Sequence, residues 1–268
     1  HPTNPDIMFI GAPAGGLWKT IDGGLNWVPL TDHLPNLGVS DIAIDPTNPN
    51  VMFLATGDKD GGDTYAYGII KSLDGGLSWD TAGNLSFDIT YGYRGNRILI
   101  NPNNTDIIIA SVRKAGNGEV YKSVDGGTSW NLMTNNRFIS MEFKPDNPNV
   151  IYAGTRTNGE VWRSVDMGDT WIQLTNGLPS TLTDARRVQI AVTPNNPNVV
   201  YALMCNSDNG FFGLYKSSDA GTSWSQQSNS PNLLGWQSDG SDSGGQGWYD
   251  LSLGVSPIRL SPIFRSSK

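Results

Sequence analysis

Cysteine is nearly missing from this chain: Cys205 stands alone among 268 residues, which excludes an internal disulfide framework. Histidine is almost as scarce, and His1 and His33 offer no zinc-ligand spacing. Charged residues make up only 16%, the formal net charge is -7, and the strongest basic cluster is the pair Arg186-Arg187. That argues against a nucleic-acid partner, because binding a phosphate backbone takes concentrated Lys and Arg. No apolar run approaches the length of a membrane span. There is no signal segment, and the first residue is His rather than Met, so the sequence reads as a mature or trimmed portion. Few cysteines, an acidic balance and many Asn, Thr and Trp suit a secreted or cell-surface bacterial protein, monomeric or one domain of a larger chain.

Turn formers are abundant, with 32 Gly and 16 Pro, and the composition is that of a strand-rich chain. One eight-residue signature returns five times: hydroxyl residue, Asp two on, Gly two further, Trp three after that. It reads Thr20-Ile-Asp22-Gly-Gly24-Leu-Asn-Trp27, with later copies centred on Asp74, Asp125, Asp166 and Asp219 and ending at Trp79, Trp130, Trp171 and Trp224. A second motif, Pro-x-Asn-Pro, keeps time with it at 2–5, 46–49, 145–148 and 194–197, with a degenerate copy at 102–105. Each later copy follows a strand-like segment such as 41–45, and the motif leads into apolar, β-branched runs such as 51–55 or 150–153. Proline fixes φ and Asn tolerates left-handed geometry, so these motifs predict tight hairpin turns. One unit is four antiparallel strands in about 40 to 50 residues, the period of a propeller blade. The expected fold class is an all-β propeller of four-stranded blades in one domain, 1–257, with a tail at 258–268. The blades fall near 1–30, 41–82, 97–134, 139–175 and 188–227.

Segment 249–257 resembles an inner strand with no blade after it, and the first blade lacks one. The expectation is that this strand closes a five-bladed ring, since closure removes open sheet edges. The alternative is an excerpt of a seven-bladed ring. Within the signature, the hydroxyl and carboxylate bond to hairpin backbone, Gly supplies a positive φ, and Trp packs between sheets. Five copies of one Asp cannot all be catalytic, so Asp22, Asp74, Asp125, Asp166 and Asp219 are read as structural.

Strand parity assigns the faces. First and third turns share one end of an antiparallel blade, so both motifs lie there and the irregular loops lie at the other. Loops on a rigid scaffold are where binding concentrates. The aromatic and basic residues in them, Tyr65, Tyr67, Tyr91, Tyr93, Arg94, Trp236 and Trp248, are the ligand-binding candidates, for a polysaccharide or a protein. Against this stands the reading that each folds onto its own loop. Asp58, Asp60 and Asp63 resemble the opening of a calcium loop, but the twelfth position falls on Ile69, which has no ligand oxygen in its side chain. No other cofactor is implied.

The signature identifies Asp-box, or BNR, repeats, which resemble those of sialidases, sortilin-type receptors and family-74 glycoside hydrolases. The first half is most similar to the N-terminal propeller of family-74 xyloglucanases, through His1-Pro-Thr-Asn-Pro-Asp, Gly15-Gly16-Leu-Trp, Trp27-Val-Pro-Leu-Thr-Asp32 and 42–51. The resemblance implies a catalytic base Asp two positions before the first Gly-Gly. Here that position holds Pro13, which has no titratable group. It also implies a general acid from a second propeller, which this chain does not include, and an inverting pair needs both carboxylates. A sialidase-like reading implies three arginines gripping a carboxylate; Arg94, Arg97, Arg113, Arg156, Arg186 and Arg187 are present, but no Arg-Ile-Pro segment lies near the start. The sequence therefore favours a non-catalytic propeller that binds a glycan or protein partner through its long-loop face. A xyloglucanase-like or sialidase-like glycoside hydrolase, or a fragment of one, is the alternative.

Overall fold

The computed structural model describes residues 1–35, 38–61, 65–91, 93–114, 116–180, 183–258 and 262–264, with 87–91 and 262–264 as backbone only. Among them there is no helix, and so none that could cross a membrane. The chain divides into two compact units, His1–Arg137 and Phe138–Lys268.

The first unit holds three antiparallel sheets. Met8–Ala12 (β1), Gly16–Thr20 (β2) and Val28–Pro29 (β3) make a three-stranded sheet in which β1 takes the place of a second strand. Val39–Ile44 (β4), Met52–Thr56 (β5), Tyr65–Ser72 (β6) and Asp80–Tyr91 (β7) form the next. Arg94–Ile100 (β8), Ile108–Lys114 (β9), Asn117–Ser123 (β10) and Asn131–Thr134 (β11) form the third. The second unit has two four-stranded sheets. One is Phe138–Lys144 (β12), Asn147–Thr155 (β13), Val161–Ser164 (β14) and Ile172–Leu174 (β15); the other is Val188–Val192 (β16), Val200–Cys205 (β17), Phe211–Ser217 (β18) and Ser225–Ser228 (β19). Each is a meander of sequential neighbours, the blade arrangement that the repeat predicts. The second strands β5 and β17 are buried throughout, because both of their faces pack on apolar clusters.

Two expectations need correction. Segment 258–268, expected to be a tail, contributes a strand: Pro262–Phe264 (β21) pairs with Leu253–Val255 (β20), which lies in the segment read as a closing strand. Tyr91, expected to lie in an irregular loop, instead ends a strand, since β7 runs to Tyr91 and pairs with β6 as far as Tyr65 opposite Tyr91. Leu85, Phe87, Ile89 and Tyr91 alternate with polar residues, a period-two strand pattern that the turn-rich flanks obscure.

The Pro-x-Asn-Pro turns also work differently from the expectation. None of Asn4, Asn48, Asn104, Asn147 and Asn196 has a positive φ. Each side-chain oxygen instead accepts from the amide two residues on, at 3.0 to 3.3 Å. That residue's carbonyl then accepts from the amide just after the box Asp. The five bonds are Gly23 to Asp6, Gly75 to Asn50, Gly126 to Asp106, Met167 to Asn149 and Ala220 to Asn198, at 2.9 to 3.0 Å. The two motifs are thus joined in every blade. The donor sits in left-handed geometry each time, including at the non-glycine residues Met167 (φ 59) and Ala220 (φ 56).

Inside each box the bonding repeats. The hydroxyl of Ser72 donates to Asp74 at 2.8 Å and accepts from the Gly76 amide at 2.9 Å. Asp74 also accepts from the amide and hydroxyl of Ser78 at 2.9 and 2.5 Å. Equivalent pairs hold Asp22 through Asn26, Asp125 through Ser129, Asp166 through Thr170 and Asp219 through Ser223. The box Trp indole donates to the Gly carbonyl three residues back, and the buried Trp130 also reaches Ala82 of the preceding sheet at 3.0 Å. These donors favour the charged carboxylate. The side-chain and backbone bonds from Asn26, Ser78, Ser129 and Ser223 hold Asp22, Asp74, Asp125 and Asp219 at about 2, well below the ordinary carboxylate range. At Asp166 burial pushes the pKa up, but the Thr170 and Ser164 bonds outweigh it and leave it lowered.

A carboxyl with a depressed folded pKa stabilises the fold above its unfolded value near 4, and that stability is lost as pH falls toward the folded value. Melting temperature is therefore expected to stay level from pH 7 to about 4.5 and to drop between about 4 and 2. A scan of thermal unfolding against pH checks this; a drop centred above pH 5 would contradict it.

Candidate functional site

The second turns and links leave each sheet at the end opposite the boxes. In the first unit this face carries Pro13, exposed in the turn between β1 and β2. The Trp18 indole donates to the Gly15 carbonyl at 2.7 Å and fixes that turn. Gly38 lies against the Pro13 carbonyl and Gly57, with no room for a Cβ.

The neighbouring 58–61 loop is held from beneath by Arg94. Its side chain is buried, and its guanidinium donates to the Asp58 carbonyl at 2.9 Å and to the Gly61 carbonyl. Arg94 is therefore a support of this loop rather than a group presented to a ligand. The loop is pinned again where the Ser40 hydroxyl donates to the Gly57 carbonyl and accepts from the Lys59 amide. Asp58 is buried, and its carboxylate accepts from the Asp60 amide at 2.8 Å. Asp63 lies outside the described residues, and among those described no three His, Cys, Asp or Glu come together as metal ligands.

The tyrosines divide. Tyr67 is turned into the apolar cluster of Leu17, Val39, Leu54 and Ile70, and burial pushes its phenol pKa up. Tyr65 is 54% exposed. Tyr93 is partly buried, and the side chain of Tyr91 lies outside the described set. Arg97 pairs with Asp41 at 2.9 Å, and Asp41 also accepts from the Ile98 amide at 2.7 Å. That carboxylate borders a cavity of about 330 Å³ lined by Phe9, Gly11, Val39, Ser40 and Ile42.

In the second unit the segment after β19 folds over the turn between β17 and β18. The amides of Gly245 and Gly247 donate to the carbonyls of Asp208 and Asn209, and the Asn232 side chain accepts from the Phe211 amide. Asp242 accepts from the Trp236 amide at 2.6 Å. This packing leaves Trp236 at 63%, Trp248 at 45% and Tyr249 at 40% exposure. The rings of Trp248 and Tyr249 lie 5.2 Å apart, tilted by 55°. Arg156, Arg186 and Arg187, which the sequence named only when weighing a sialidase-like carboxylate grip, line a second cavity, of about 50 Å³, together with Cys205, Asn209 and Trp248.

Comparison with known proteins places these loops in context. A family model described as sortilin, neurotensin receptor 3, matches residues 118–248. A xyloglucanase from Paenibacillus is 28% identical over 149 residues, covering 50% of this chain and 14% of that protein. Xyloglucanase Xgh74A of Acetivibrio thermocellus is 29% identical over 139 residues, 48% of this chain and 16% of that protein. The chain thus spans a small part of the length of these relatives. Among solved structures, an ancestral GH74 enzyme superposes with a TM-score of 0.70 at 23% identity, over 96% of this chain and 32% of that one. The GH74 xyloglucanase of Xanthomonas campestris gives 0.55 at 16% identity, over 84% and 44%. A structure of YCF48 bound to D1 peptide gives 0.52 at 18%, over 83% and 64%. The structural likenesses establish the fold: this is a β-propeller resembling those of family-74 xyloglucanases and of the sortilin type. Of the two functional readings of the sequence, the comparisons favour the glycoside-hydrolase-like piece over the non-catalytic binder.

Replacing Arg94 with Gln removes a buried charged donor, and is expected to lower unfolding stability by about 2 kcal/mol and to speed proteolytic cleavage at 58–61. Chemical denaturation and limited digestion measure both; unchanged values would contradict the supporting role.

Proposed function

We propose that this chain is the polysaccharide-binding propeller portion of a secreted, family-74-like glycoside hydrolase, engaging its ligand through the long-loop face. What supports the reading is the sequence match to xyloglucanases over half of the chain. Tyr65 in the first unit, and Trp236 and Trp248 in the second, are exposed among the loops of their own units and offer flat apolar surfaces on which sugar rings stack. Tyr91 stands opposite Tyr65 in the β6–β7 register, and Tyr93 lies just beyond the end of β7. Arg94 and Tyr67 support this surface from within.

Hydrolysis by this chain alone is not part of the proposal. Pro13 holds the position where the resemblance puts the base, and proline cannot move a proton. The box carboxylates stand at the other end of each sheet, bonded within their own turns and with lowered pKa values. A general base works best with a pKa near the operating pH.

Affinity electrophoresis in gels containing xyloglucan tests the reading, with reducing-sugar release measured alongside. The chain is expected to be retarded, the retardation to weaken at least about fivefold in Trp236→Ala, and no sugar to be released. Absence of retardation by any neutral or acidic polysaccharide would overturn the reading and point to a protein partner. Xyloglucan cleavage that Asp58→Asn abolishes would overturn its non-catalytic half.

A further inference from the structure

The cavity in the second unit is assembled from four separate places in the chain. Arg156 follows β13, Arg186 and Arg187 lead into β16, Cys205 and Asn209 end β17 and form its turn, and Trp248 belongs to the link after β19. All of these lie at the loop end of their sheets. The backbone holds them in register: Gly159 donates to Arg186, Arg186 to Cys205 and Cys205 to Arg187, at 2.6 to 3.1 Å.

Arg187 is 3% exposed, and its guanidinium donates to the carbonyl of Trp248 at 2.5 Å and to that of Tyr249 at 3.4 Å. The buried cation thereby fixes the aromatic pair beside the cavity. Arg186 remains partly exposed; one terminal nitrogen donates to the carbonyls of Thr183 and Ala185 at 3.3 and 3.0 Å, the other lies 3.7 Å from Asp184, and Arg156 is partly buried. Burial raises the Cys205 thiol pKa and outweighs the backbone hydrogen bond from Arg187 and the charges of Arg187 and Arg186, which lower it. Three guanidinium side chains line one cavity in a chain whose net charge is -7. Its volume is about 50 Å³, several times the roughly 10–15 Å³ that admits one water molecule. A carboxylate fits that space.

We propose that this cavity binds the carboxylate of a uronic acid residue in an acidic polysaccharide, with the sugar ring against Trp248. A guanidinium meets a carboxylate through two parallel N–H donors, a match that Lys does not supply. A uronic acid carries its carboxylate on an exocyclic carbon, so the charged group enters while the ring stays outside on the exposed indole. The inference rests on the polysaccharide reading above and names a substrate class for it.

Isothermal titration of the full chain with trigalacturonate and with a neutral xyloglucan heptasaccharide tests it. Trigalacturonate is expected to bind at least about tenfold more tightly than the neutral sugar, with the difference shrinking in high salt. Arg156→Gln and Arg186→Gln are expected to abolish the preference and leave neutral binding unchanged. Both sites are partly exposed, so the variants keep the test on folded protein where Arg187→Gln would not. Equal affinity for the two sugars, or a preference that survives both variants, overturns this proposal and leaves polysaccharide binding standing. Binding of neither sugar overturns the polysaccharide reading as well. Binding of a glutamate-rich peptide alone, lost in Arg156→Gln, overturns the uronate assignment in favour of a protein ligand.

Discussion

One amide in each blade sets the rest of the geometry. It belongs to the residue after the box Asp, and it donates across the blade end to the carbonyl that closes the Pro-x-Asn-Pro turn. Making that bond requires left-handed backbone, which is why Gly23, Gly75 and Gly126 fill the position in three blades. Met167 and Ala220 accept the same φ in the other two. The peptide works in both directions: where Gly126 donates to Asp106, its carbonyl accepts from Lys71 of the preceding sheet at 2.8 Å. The carbonyl of Ala220 likewise accepts from Arg163 at 2.7 Å and from the Tyr152 hydroxyl at 3.1 Å. A single residue thus joins two turns of its own blade and ties that blade to its neighbour.

This constraint separates the two ends of every blade. At the box end, side-chain oxygens are saturated by short local bonds, so repetition there leaves little chemistry free for a ligand. At the other end no repeated motif fixes the chain, and the connections differ in length and composition. Their order comes from individual anchors instead, Arg94 under the 58–61 loop and Arg187 beside the Trp248–Tyr249 pair. Both are buried guanidiniums donating to backbone carbonyls, and the same device serves two different loops. Pro13 lies on this variable end, exposed in the turn between β1 and β2.

Local pattern made the architecture legible. The box and turn motifs are short, repeat at fixed spacing and carry their own hydrogen bonds, so sequence alone located strands, turns and the two faces. One further local signal was overlooked: Lys19, Lys71, Lys122, Arg163 and Lys216 each precede the box hydroxyl, and two of them are the clamps onto the next blade. The β7 extension was also readable, from the alternation at 85–91, but the surrounding glycines suggested a loop. The roles of Arg94 and Tyr67 were not readable, because whether a loop residue points outward depends on tertiary packing. Nor was the arginine cavity, whose members come from segments that no local spacing relates. Trp248 stood out by residue type alone, and its partners emerged only when the sheets were placed side by side.

The most direct measurement of this account is amide hydrogen exchange at Gly75, Gly126, Met167 and Ala220. These amides lie in turns, where exchange is ordinarily fast, yet the account makes them the joints of the blades. They are expected to exchange as slowly as the central strand amides of β5, β9, β13 and β17, through unfolding of the whole sheet. Fast exchange at these positions while the central strands stay protected would contradict the claim that this bond holds the blade together.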